Sequence, residues 1–221
     1  MSVHSLPDSS SLSSKRAATI DTREKILQAA IATVRAYGVS GATTRAIAAE
    51  AGIAEGSIYR YFSDKIEVIM TAIVEYLVPS YRQGIMELAR SAGTATPEVH
   101  LREVLRKTIA FYRDFLPLMA SLYSDTALLE RYQAELRGGN RGPHRAAGGI
   151  AAYIAGEVAL GRLPSGIDPQ ATAQMLLGAC FQHVFFEQTI GKEHLQLTER
   201  TLIAKMIQTI TEPGSASHPS S

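Results

Sequence analysis

Helical punctuation is the feature that most constrains this chain. From Thr22 onward apolar residues recur at spacings of three and four, and Gly, Asp-Pro and Ser/Thr/Asp caps separate the runs. No alternating strand pattern of any length and no internal repeat is found, so the chain reads as all-α. The first helix is expected over about Thr22 to Tyr37, capped by Asp21 with Glu24 in capping-box register. Its apolar stripe is Ile26, Leu27, Ala30, Val34 and Tyr37, and Gly38 is its stop. A short helix follows from Thr44 to Ala51, capped by Thr43 and ended by Gly52, and then another from Glu55 to Phe62. Ser63 or Asp64 caps a longer helix from Lys65 to at least Val78, with Pro79 kinking or breaking it.

Beyond it the periodicity predicts a helix over Glu98 to Phe115, one opened by Pro117, and one over Thr126 to Leu136. Others are expected over Arg145 to Leu160, from Asp168-Pro169 to Ile190, and from the Thr198 cap to Ile210. The Gly-rich run Arg137 to Gly149 reads as a mobile loop in its first half at least. Residues 1–18 are Ser-rich and are expected to be a disordered arm, as is the tail at 213–221. This divides the chain into a small helical domain at 19–65 and a larger one at 66–212.

The chain's 221 residues are 46% hydrophobic, enough for a core and some apolar surface left for a partner. A single cysteine, Cys180, excludes an intrachain disulfide and suits a reducing compartment. The first residues lack the apolar segment of a signal peptide, and no apolar run is long enough to span a membrane, so a cytoplasmic protein is expected. Net charge is only +1, but Lys15 to Lys65 holds eight basic and five acidic residues, a local surplus that suits a polyanion partner.

Within that basic stretch, Thr43 to Lys65 forms two short helices joined by a tight turn at Ala51-Gly52-Ile53. Ile47, Ala48, Ala51, Ile53, Ile58 and Phe62 lock the pair against the first helix, which leaves Glu55, Gly56, Ser57, Tyr59, Arg60 and Tyr61 outward. A short helix exposing small, hydroxyl and cationic groups fits the DNA major groove. Gly56 lets the helix start approach closely; Arg60 can fork onto guanine, Glu55 can accept from a cytosine amino group, and Arg45 can reach a base edge. Thr44, Ser57, Tyr59, Tyr61 and Lys65 are expected to bond phosphates.

These residues resemble the tetracycline-repressor (TetR) family of bacterial regulators. The likeness rests on the Thr-Arg-Glu start at Thr22, the Ala-Tyr-Gly-Val helix end, the Thr43-Thr44-Arg45-x-Ile-Ala run and Ala51-Gly52-Ile53. It continues through Gly56-Ser57-Ile58-Tyr59-Arg60-Tyr61-Phe62 and Lys65, and covers about the first third of the chain. The resemblance implies an N-terminal three-helix helix-turn-helix domain and a larger C-terminal helical domain for ligand binding and dimerisation. It also implies a homodimer on a double-stranded DNA operator, and repression relieved by a small-molecule effector.

In the larger domain, Gln174 to Phe186 is apolar nearly all round and needs cover on both sides. With the last helix it suggests a dimer interface through Gln174, Gly178, Phe181, Gln182, Leu202, Met206 and Ile210; the alternative is burial of both helices in one chain's core. Tyr76, Phe111, Phe115, Met119, Tyr123, Phe181 and Phe185 are candidates to line an apolar ligand pocket, although each can equally be plain core. His183 and Glu187 lie one helical turn apart, but with no third ligand a structural histidine is the better reading. No metal site, cofactor loop or catalytic constellation is apparent, so an enzyme is not expected. The rival readings are a DNA-binding activator or ligand-independent regulator, and a small-molecule-binding protein or enzyme with a vestigial DNA-binding domain.

Overall fold

The computed structural model describes residues 9–123, 126–138 and 144–212; the expectations for residues 1–8, for 139–143 of the Gly-rich loop and for the tail at 213–221 lie outside these. The described residues contain helices and no strand. They fall into two compact units, Met1–Val78 and Pro79–Ser221.

In the first unit, α1 (Ser9–Gly41) begins well before the expected start at Thr22. Residues 9–18, expected as part of a disordered arm, are helical because that stretch contains no Gly or Pro and adds the good helix formers Leu12, Lys15, Arg16, Ala17 and Ala18. Asp21 therefore sits inside α1 and pairs with Lys25 one turn on, instead of capping a helix start. Regular geometry breaks at Gly38, whose φ of 70° is a left-handed conformation open to glycine. α2 (Thr44–Ala51) starts on Thr43, whose side chain accepts from the Ala46 N–H at 3.1 Å, and stops on left-handed Gly52. α3 (Lys65–Ala72) starts on Asp64, which accepts from the Glu67 N–H at 2.8 Å, while Glu67 reaches back to the Ser63 N–H at 2.7 Å. The core of this unit joins Ile26, Leu27 and Ala30 of α1 to Ile47 and Ala48 of α2, to Ile58 and Phe62, and to Val68 and Ala72 of α3. α3 thus belongs to the small unit, whereas the sequence reading ended that domain at residue 65. Tyr37, expected in the buried stripe, is 69% exposed, because it lies beyond the last turn of α1 that the core covers.

The chain continues from α3 through a π turn, Ile73–Leu77, into α4 (Val78–Arg90). Pro79 neither ends nor opens a helix. Its ring would crowd the carbonyl one turn earlier and it has no N–H to donate, and the widened turn, closed by Val78 N–H to the Ile73 carbonyl, accommodates both.

The second unit holds α5 (Pro97–Tyr123), α6 (Thr126–Gly138), α7 (His144–Ala159), α8 (Pro169–Ile190) and α9 (Glu199–Thr211). α5 runs straight through Pro117, which the sequence reading placed at the start of a new helix. The missing N–H leaves the Arg113 carbonyl without its helical donor, and the Gln188 side-chain amide of α8 supplies one at 3.1 Å. Arg113 itself forks onto Glu187 at 3.0 and 2.8 Å and reaches Glu199 at 2.7 Å, so one residue ties α5 to α8 and α9. Asp168 and Thr198 cap α8 and α9 as expected. The core gathers Leu101, Leu105 and Ile109 of α5, Ile150, Tyr153 and Ile154 of α7, Leu176, Cys180 and Val184 of α8, and Ile203 and Ile207 of α9.

Glu157 of α7 is fully buried. Burial alone would push its carboxyl up. Arg162 at 2.6 and 2.9 Å, the Gly93 N–H at 3.1 Å and the Tyr153 phenol together hold it below the usual carboxylate range. Arg162 also donates to the Ala95 carbonyl, so the carboxylate fastens the loop before α5 to the end of α7. A depressed pKa contributes stability above the unfolded carboxylate's value and loses it as pH falls through the folded value. Glu157→Gln is therefore expected to cost about 1.5–3 kcal/mol at neutral pH and to flatten the loss of stability on acidification, both read from urea unfolding at a series of pH values.

Candidate nucleic-acid interface

The candidate interface is built on a turn too short to stand alone. Glu55–Arg60 is a six-residue 3-10 helix, tighter and shorter than the helix to Phe62 that the periodicity predicted. Ile58 is fully buried against α1 and α2, and Phe62 closes the same core. Arg23 of α1 lies 5.5 Å above the Phe62 ring and forks onto Glu75 at 2.6 and 2.8 Å. Helical spacing then decides the outward set: Glu55, Gly56, Tyr59 and Arg60 are exposed, Tyr59 by 56%.

Arg45 on α2 is exposed as well, and neither Arg45 nor Arg60 has an ion pair or hydrogen bond among the described residues. Both guanidinium groups keep their full donor sets for an outside acceptor. Gly56 has an ordinary backbone, and a Cβ placed there would meet nothing within 4 Å. No part of the fold requires a glycine at that position; what it provides is a bare backbone at the start of the turn.

Three expected contacts differ from the sequence reading. Tyr61 is half-buried and packs on the small core. Lys65 donates to the Val39 carbonyl at 3.1 Å, so its ammonium is partly committed to closing the end of α1. Thr44 is half-buried, and its hydroxyl donates to Glu55 Oε1 at 2.7 Å and meets the Tyr59 hydroxyl at 3.3 Å. Ser57 is half-buried at the same surface.

The expected pocket residues separate. Tyr76 packs on the core of the first unit, where burial and Glu24 push its phenol up to about 12. In the second unit Phe111 stacks on Tyr81 at 4.3 Å and on Phe115 at 5.1 Å, while Phe181 meets Tyr112 edge-on at 5.7 Å and stacks on Phe185 at 6.3 Å. Met119 is half-buried and Tyr123 is 68% exposed. A cleft of about 170 Å³ lies between α4 and α5, lined by residues such as Gly84, Glu87, His100, Glu103 and Lys107, and holds none of the expected lining.

The expected interface residues also divide. Gln174, Gly178, Phe181 and Gln182 are exposed on α8, beside Met175, Phe185 and Phe186, which the sequence reading did not assign to an interface. Those three lie on the same outward side, at helical spacing from Gly178 and Gln182. Leu202 and Met206 are half-buried, and Ile210 is buried in the core because it shares the inward side of α9 with Ile203 and Ile207. His183 is buried, its Nε2 lies 3.8 Å from Glu187 without a hydrogen-bond partner among the described residues, and burial pushes its pKa down. Burial pushes the Cys180 thiol up to about 12, which leaves it a poor nucleophile. Among the described residues no group of three candidate ligands could hold a metal, and no helix is long and apolar enough to cross a membrane.

Comparison with known proteins agrees with the first unit's geometry. Residues 26–69 match the family described as bacterial regulatory proteins, tetR family. The HTH-type transcriptional regulator SrpR of Pseudomonas putida is 40% identical over 53 residues, 24% of this chain and 25% of SrpR, so the chain matches about a quarter of that relative's length. In structure the chain is similar to SmeT, the repressor of the Stenotrophomonas maltophilia multidrug efflux pump SmeDEF. The TM-score is 0.57 at 23% identity, over 91% of this chain and 100% of that one. A SmeT–triclosan complex is similar at a TM-score of 0.57 and 23% identity, over 90% of this chain and 99% of that one. At such identities the structural likeness concerns the fold.

Proposed function

We propose a function from one premise: this chain belongs to the tetR family of bacterial regulatory proteins, whose domain its residues 26–69 carry. It is a sequence-specific DNA-binding regulator, a repressor that leaves a palindromic operator when a small apolar molecule binds. The observation that carries this reading is the bare, cation-flanked turn. Gly56 is open where the fold needs no glycine, and Arg45 and Arg60 are exposed with no ion pair or hydrogen bond among the described residues.

Arg60 forks onto a guanine edge, Arg45 reaches a neighbouring base, and Ser57 and the remaining donors of Lys65 meet phosphates. A dimer supplies the second half-site. Its interface is the exposed apolar side of α8 around Gly178, with Met175, Phe185 and Phe186, and the outer side of α9. The regulatory molecule binds in the second unit, among aromatic residues such as Phe111, Phe115 and Phe181; the structurally similar SmeT forms a complex with triclosan. By linkage, it weakens DNA binding by the factor that DNA weakens its own. The protein works in the cytoplasm, where its operator is.

Selection of bound duplexes from a random pool tests the core of this reading: a palindromic site bound far more tightly than random DNA is expected, and no enrichment would overturn it. Arg60→Ala is expected to cost about 1–3 kcal/mol of binding and to relax preference at one base position per half-site. Gly56→Ala is expected to leave the thermal midpoint unchanged or raise it, since Ala narrows the unfolded ensemble by about 0.4–1 kcal/mol, while it weakens operator binding. Phe185→Asp is expected to shift the protein toward monomers in sedimentation and to weaken binding at the palindromic site more than at a single half-site.

A further inference from the structure

Two of the hydroxyls expected to meet phosphates are instead linked at the surface to the acidic residue at the start of the turn, Thr44 directly and Tyr59 through Thr44. Thr44 Oγ1 donates to Glu55 Oε1 at 2.7 Å, and Thr44 Oγ1 and the Tyr59 hydroxyl lie 3.3 Å apart. A threonine hydroxyl carries one proton. With that proton on Glu55, the second contact has one consistent direction, from the Tyr59 phenol to Thr44. The three residues thus form a directed chain, Tyr59 to Thr44 to Glu55, from the far end of the turn through α2 to its near end.

From this geometry we infer that Thr44 and Tyr59 are positioning residues that hold Glu55 as the reader of a base bearing an exocyclic amino group, cytosine foremost. The inference rests on the regulator reading above and goes beyond it in assigning these two hydroxyls to specificity instead of phosphate contact. An exposed glutamate is long and rotamer-rich, and ordering it at an interface costs binding free energy. A hydrogen bond to a carboxylate is stronger than one between neutral groups, and here it is already made before any DNA arrives. It occupies Oε1 and leaves Oε2 with no partner among the described residues, so that it can accept from cytosine N4 or adenine N6. Glu55 has no cationic partner among the described residues to divert it. A carboxylate on this surface also repels phosphate, so it penalises DNA that offers no amino group in return.

The test uses the full chain, a site selected from random duplexes, and a panel of duplexes with each base in turn at every position. Wild type, Thr44→Val, Thr44→Ser, Tyr59→Phe, Glu55→Gln and the Thr44→Val/Glu55→Gln double variant are compared. Unchanged helical signal and thermal midpoint establish that each is folded. Glu55→Gln is expected to erase the preference for an amino-bearing base at one position per half-site. Thr44→Val is expected to reduce that same preference about tenfold and leave the other positions alone. Thr44→Ser retains it, Tyr59→Phe lowers it less, and the double variant behaves as Glu55→Gln alone. The inference is overturned if Thr44→Val weakens every duplex equally while that preference stands, or if its effect adds independently to that of Glu55→Gln. Should wild type select no sequence at all, the regulator reading falls first and this one with it; a selected site with an unaltered Thr44→Val preference sinks the positioning role alone.

Discussion

A six-residue turn has no stability of its own, so everything the first unit presents depends on the burial of Ile58. Nucleating even one helical turn is unfavourable, and Glu55–Arg60 is hardly longer than the nucleus. Its shape is borrowed from the core, where Ile58 sits fully buried among Ile26, Leu27 and Ile47 and Phe62 closes the far end. Once these two side chains are inward, the positions between and before them have no choice but to face out. The outward chemistry of Glu55, Gly56, Tyr59 and Arg60 is thus a by-product of the inward packing of its neighbours.

The second unit uses a different economy. Its helices are long enough to bury broad apolar faces, and its polar groups appear where the helices are interrupted or must be fastened. Pro117 removes one backbone donor from α5, and Gln188 supplies another from α8. Arg113, whose carbonyl Gln188 caps, extends its side chain to two carboxylates on α8 and α9. Glu157 does the same for the loop after α4, holding the Gly93 N–H and Arg162 from a fully buried position. In both cases one polar side chain joins separate segments, and the fully buried Glu157 is tolerated because its partners satisfy it on several sides.

Residues taken singly as site members often turn out to serve the fold first. Lys65 closes the end of α1, Tyr61 packs on the small core, Tyr76 belongs to the first unit and Ile210 lies in the core of the second. Residue type alone does not separate these duties. A lysine that contacts a carbonyl and one that contacts a phosphate have the same sequence signature, and an isoleucine on an amphipathic helix reads as apolar whichever side it faces.

By itself the sequence determined the helical class, the caps at Thr43, Asp168 and Thr198, a cap at Ser63 or Asp64, the stops at Gly38 and Gly52, and the outward direction of the turn around Gly56. These are local matters, decided by backbone hydrogen bonding and φ within a few residues, so a short window contains their cause. Only the tertiary structure decided whether a proline breaks a helix, since Pro117 is tolerated through a partner 71 positions away and Pro79 through a widened turn before it. It alone decided that Thr44 serves Glu55, because that bond joins side chains on separate elements whose approach is set by the core beneath them. The same holds for which aromatic rings meet and which side of α9 is covered: they depend on what lies opposite, and a sequence window does not contain its opposite.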